Sequence, residues 1–185
     1  MATLPKTKTV TYEEWLRMPE VSDAVEEVIN GEIRIMSSPA WSHCEIVDSI
    51  RDLILPQTDK RSVRVTTSLF DLVIRMDPLV VRVPDLAVFE RSTIIEKDGR
   101  IRSAPQLVVE VLSPSNTRRE REEKLADYAL IGVPEAWIVS PEGRTVEVLH
   151  LEEGRFRRVQ VLAEGVLTPK HFPEMKVDIA RIWPE

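Results

Sequence analysis

The run Leu107–Leu112, LVVEVL, constrains the fold more than any other stretch of the chain. It is apolar on both faces, as strands are when a sheet is covered on both sides. From Thr117 to Ile131, Lys124, Leu125, Tyr128 and Ala129 fall on one helical side, with Gly132 ending the helix and Pro134 following. Ala136–Val139 is apolar again and reads as another strand. In the middle of the first run stands Glu110, and a carboxylate there is costly unless something compensates it.

The rest of the chain extends this pattern. Thr11 and Glu14 fit a capping box that opens a short helix running to about Met18. Asn30-Gly31, inside the strand-like stretch Ala24–Met36, predicts a tight hairpin because both residues tolerate positive φ. Ile46, Val47, Ile50, Leu53 and Ile54 recur at helical spacing. SVRVTTS, LFDLVIRM, Pro84–Phe89, Thr145–Leu151 and Phe156–Leu162 read as strands, and a short helix is expected near Ile179. Residues 1–185 show no repeat or linker. They predict a single α/β domain with a mixed central sheet flanked by helices.

No apolar run approaches the length of a membrane span, and the first ten residues, MATLPKTKTV, lack the apolar core of a secretory signal. The single cysteine, Cys44, has no intrachain partner, so a cytoplasmic protein is expected. The net charge of −6 argues against nucleic-acid binding driven by overall charge. Two basic groups remain as local candidates: Arg118, Arg119 and Arg121, and Lys60, Arg61 and Arg64. Either also reads as an ordinary solvated face.

Asp85, after Pro84 in RVPDLAVF, and Glu110 lie in or beside apolar strands, far enough apart in sequence for those strands to be neighbours. Glu27 is a third candidate in the hairpin; Glu26 is adjacent to it, and alternation alone does not say which faces inward. Converging carboxylates repel, and a divalent cation removes the repulsion. Mg²⁺ is the natural choice, being held by one or two carboxylates plus waters and substrate phosphate. Lys124, on the helix after Glu110, then serves as a compact positive charge beside a metal-bound water. Each residue also has a plainer reading: a strand carboxylate paired with an arginine, or a lysine among the solvated charges of REREEKLADY. His43, in a first helical turn after Pro39, reads equally as a cap or packing residue. Cys44 and the tryptophans read as packing, with Trp41 beside His43 the one candidate for ligand contact. Ser113 and Ser115 read as turn residues.

Taken together, VPDLAVF, LVVEVLSPS and REEKLADYALIGVPEAWIVSPEGRTVEVL resemble the Uma-type (Uma-two) restriction-endonuclease-like family of the PD-(D/E)XK nuclease superfamily. The resemblance extends to YEEWLRMP, EEVINGEIRIM and SSPAWSHCEIV, and so spans about Thr11 to Leu151. It implies a restriction-endonuclease-like core with Asp85 and Glu110 as metal ligands and the Val111 carbonyl as a further one. It implies Lys124 as the catalytic lysine, Glu27 as a second-sphere or water-mediated ligand, and a supporting role for His43. The sequence departs from the superfamily at its third motif, usually Glu-x-Lys, where Glu110-Val111-Leu112 stands here. Lys124 replaces the missing lysine only by reaching in from the helix. Glu120 and Asn30 stand where the family often has Asp.

The leading expectation is therefore a Mg²⁺-dependent endonuclease (Mn²⁺ as substitute) that hydrolyses DNA phosphodiesters, works as a homodimer, and holds the DNA backbone with Arg118, Arg119 and Arg121. The alternatives are a non-cleaving DNA-binding or regulatory module on the same scaffold and a small phosphate-ester hydrolase.

Overall fold

A computed structural model describes residues 9–19, 25–67, 70–114 and 117–184. Expectations placed on residues 1–8, Ala24, Ser68, Leu69, Ser115 and Glu185 lie outside the described residues. In chain order the elements are α1 (Tyr12–Leu16), β1 (Val25–Ile29), β2 (Glu32–Met36), α2 (Trp41–Ile54), β3 (Val63–Thr67), β4 (Leu72–Met76), β5 (Leu79–Arg82) and β6 (Leu86–Glu90). There follow β7 (Glu96–Lys97), β8 (Arg100–Ile101), β9 (Leu107–Val111), α3 (Arg118–Leu130), β10 (Glu135–Ser140), β11 (Thr145–Glu152), β12 (Arg155–Leu162), β13 (Val166–Leu167), β14 (Val177–Asp178) and a 3₁₀ turn at Ile179–Arg181.

The mixed sheet runs β12-β11-β10-β9-β6-β3, with β9 and β10 parallel and the other neighbours antiparallel. The parallel pair is joined through α3, the strand–helix–strand unit expected from Leu107 onward. A second six-stranded sheet, β2-β1-β5-β4-β8-β7, contains the predicted hairpin, with Asn30 at φ 53° and Gly31 at φ 80°. Two of its features are not apparent from the sequence reading. The chain reverses at Asp77–Pro78, so β5 is a separate strand, and Asp98-Gly99 turns the short β7–β8 hairpin.

The burial pattern explains why β9 is apolar throughout. Leu107, Val109 and Val111 join the core beneath α2, where Ile46, Val47, Ile50 and Ile54 are buried. Val108 joins a second core with Tyr128 of α3, Ile138 of β10 and Leu72 and Val80 of the second sheet. Each such aliphatic side chain contributes about 1.5–3 kcal/mol when fully withdrawn from water. Between β5 and β6 the chain passes from one sheet to the other through Val83-Pro84-Asp85. The candidate residues gather at that crossing.

Candidate active site

Asp85 and Glu110 are neighbours because of strand register. β6 and β9 pair with Ala87 opposite Val108 and Leu86 opposite Val109. One further step sets Asp85 beside Glu110, and Asp85 Oδ2 accepts the Val111 amide at 2.8 Å. From α2, His43 Nε2 lies 3.2 Å from Asp85 Oδ1.

Glu110 is held on both oxygens by α3. Lys124 Nζ lies 2.8 Å from Oε2, and Tyr128 Oη donates to Oε1 at 2.5 Å. Lys124 and Tyr128 are one helical turn apart and share a face. The helix starts with a capping box in which Thr117 Oγ1 accepts the Glu120 amide and Glu120 Oε2 accepts the Thr117 amide. Glu120 therefore stabilises the helix start, a task a glutamate performs well at this position.

The hairpin supplies Glu27, which is 2% exposed and points inward as the sequence reading requires of one of the adjacent pair. Its Oε1 accepts the Val83 amide at 3.1 Å and lies 3.2 Å from Lys124 Nζ. Its Oε2 takes a 2.7 Å bond from Arg82. The Arg82 guanidinium, 3% exposed, also reaches Asp127 Oδ2 through Nε at 2.8 Å and a terminal nitrogen at 2.7 Å. Lys124 completes its bonding on the Val83 carbonyl at 3.2 Å.

The structure thus brings together Glu27, Asp85, Glu110, Lys124, Val111 and His43. The arginines lie elsewhere on α3. Arg118 and Arg119 are exposed and pair with Glu122 and Glu123, while half-buried Arg121 pairs with Glu147 of β11 at 2.9 Å. Trp41 is exposed at the start of α2, and Trp137 is buried.

Arg82 and Asp127 are site residues not expected from the sequence, and Tyr128, expected on the Lys124 side of the helix, takes a role at the site that the sequence does not assign it. Arg82 carried the same signal as Glu110, a charge inside an apolar run, here LVVRV. Asp127 and Tyr128 follow Lys124 by three and four residues, the spacing that places side chains together on a helix.

Four carboxylates, Glu27, Asp85, Glu110 and Asp127, face two fixed cations, Arg82 and Lys124. Burial pushes the Glu110 carboxyl up to about 7; Lys124 pulls it down and the Asp85 charge pushes it further up. Burial also raises Glu27, but Lys124 and Arg82 outweigh it and hold that carboxyl below its usual range. Burial works against the Lys124 ammonium, yet Glu110, Glu27 and Asp85 raise it above the ordinary lysine range. Burial and the charge of Glu110 keep the Tyr128 phenol protonated. Burial likewise opposes the charged form of His43, and Asp85 more than offsets it.

Among the described residues no three His, Cys, Asp or Glu side chains converge as a ready-made metal cage. Mg²⁺ needs less: one or two carboxylates, with waters and substrate phosphate filling the remaining positions. Asp85 and Glu110 fit that requirement, and the excess negative charge around Glu110 is what a dication neutralises. A carboxylate oxygen carries two lone pairs, so one that accepts a hydrogen bond is still able to ligate a cation.

A family model described as "Uma2: Putative restriction endonuclease" matches residues 12–180. Among solved structures, a protein from Anabaena variabilis described as a putative nuclease belonging to DUF820 is 24% identical. The match covers 94% of this chain and 97% of that one, with a TM-score of 0.72, and shows a shared fold. No curated protein gives a significant match.

Proposed function

The chain belongs to the Uma2 family of restriction-endonuclease-like proteins, and from that premise we propose that it is a metal-dependent endonuclease that hydrolyses DNA phosphodiester bonds. The observation that carries this reading is the placement of Lys124 Nζ 2.8 Å from Glu110, beside Asp85, at the crossing between the two sheets. Asp85 and Glu110 would hold Mg²⁺ or Mn²⁺, with the Val111 carbonyl as a further ligand. Such an ion, when bound, acidifies water and polarises a phosphoryl oxygen.

The remaining functions belong to the chain's own side chains. Lys124 supplies a fixed positive charge where an attacking hydroxide and the phosphorane charge are stabilised. Two carboxylates and a backbone carbonyl aim it, so little reorganisation accompanies reaction. Tyr128 fixes the orientation of Glu110, and His43 together with the Val111 amide fixes that of Asp85. Arg118 and Arg119, exposed at the start of α3, are available to backbone phosphates if those displace Glu122 and Glu123. A homodimer brings two such sites to two strands.

Supercoiled plasmid DNA incubated with purified protein and Mg²⁺ or Mn²⁺ tests the proposal. Nicking that EDTA abolishes and Lys124→Ala loses supports it. Equal nicking by the variant, or none by the wild type, defeats it. DNA retention without nicking by the wild type points to the non-cleaving module. Turnover of small phosphate esters without affinity for DNA points to the ester hydrolase.

A further inference from the structure

The helix that supplies Lys124 has a thin apolar anchor. Of α3 only Tyr128 and Ala129 are buried, half-buried Leu125 packs against the same core, and arginine–glutamate pairs cover the outer surface. Its polar anchor is more specific. Asp127 grips the buried Arg82 of β5, and Arg82 grips Glu27 of β1, which Lys124 also contacts. Lys124, Glu27, Arg82, Asp127 and the helix backbone therefore form a closed ring across three elements.

We propose that Asp127 and Arg82 are positioning residues: their ion pair sets the rotation and depth of α3, so that Lys124 and Tyr128 meet the two oxygens of Glu110. This rests on the reading of Lys124 as part of the active centre. A lysine on the ligand strand itself is fixed by the sheet. A lysine supplied by a helix is placed only as well as that helix is docked. The planar guanidinium can grip two carboxylates at once through separate N–H groups, which an ammonium does less well. Because Arg82 and Glu27 are buried and Asp127 and Lys124 are half-buried, loss of one partner leaves a charge poorly compensated.

The test has a readout independent of cleavage. Lysine side chains carrying ¹³C at Cε are followed by NMR in the full chain, with the Lys124 signal identified by its loss in Lys124→Arg. Asp127→Asn is expected to shift that signal toward the solvated lysines while the protein still unfolds cooperatively. In cleavage, kcat is expected to fall about tenfold or more with KM for DNA within about twofold, as misplacement of a catalytic group requires. Asp127→Glu is expected to recover part of the loss. Arg82→Lys, which keeps a cation for Glu27 but weakens the bridge, is expected to shift the Lys124 signal in the same way.

An unmoved Lys124 signal in either folded variant overturns the proposal, as does a change confined to KM. If neither variant folds, the pair is a scaffold element and the proposal falls. A moved signal combined with no cleavage by the wild type upholds the positioning and removes the nuclease reading instead.

Discussion

Lys124 of α3 and Glu110 of β9 meet at 2.8 Å although they come from different elements, and the strand itself carries no lysine. The helix returns the ammonium to the carboxylate. Lys124→Ala is accordingly expected to lower single-turnover DNA cleavage about 100-fold or more, on the scale of removing one preorganised charge-stabilising donor. Lys124→Arg is expected to restore little, because the bulky planar fork does not fit a pocket built for a point charge. Full activity in either variant contradicts the assignment.

Tyr128→Phe removes the donor on Glu110 Oε1 and leaves a buried carboxylate oxygen without it. The expected cost is about 1–3 kcal/mol in urea unfolding of the metal-free protein. No change in the unfolding midpoint contradicts a stabilising hydrogen bond.

Glu110 makes stability depend on pH with a definite sign. In the folded, metal-free protein its carboxyl is pushed up to about 7 by burial, against an ordinary value of 4.5. Its contribution is therefore fully present below the ordinary value and is lost as pH rises through 7. Relative to Glu110→Gln, the wild type is expected to lose about 3 kcal/mol of stability between about pH 4 and pH 8. Parallel pH profiles for the two proteins contradict this. Divalent metal competes with that proton, so its binding is expected to tighten over the upper part of the same range.

Gly31 closes the hairpin that carries Glu27. It stands at φ 80°, and a Cβ there meets Thr9 Cβ at 2.8 Å. Gly31→Ala is expected to cost about 1–3 kcal/mol from the unfavourable backbone region, with further loss from the close contact. A thermal melt matching the wild type contradicts this reading of the turn.

Much of the site was legible because a buried charge leaves a mark in sequence. Glu110 stood out in LVVEVL, and Asp85 followed from its place before an apolar strand. Arg82 carries an equal mark in LVVRV, but a cation in a strand does not by itself say which carboxylates it holds. The hairpin and the strand–helix–strand unit followed from local rules. The division of strands between two sheets did not, because alternation shows which side of a strand is buried but not which sheet the strand joins. The β5 strand is not legible for a related reason: it is short, and the reversal at Asp77–Pro78 sets it between two longer apolar stretches.

In the proposed active centre, Asp85 and Glu110 share one divalent cation. Isothermal titration with Mn²⁺ at a pH above 7 tests it without DNA or cleavage. One ion per chain is expected for the wild type, with loss of that binding in both Asp85→Asn and Glu110→Gln. Binding that persists unchanged in either variant contradicts it.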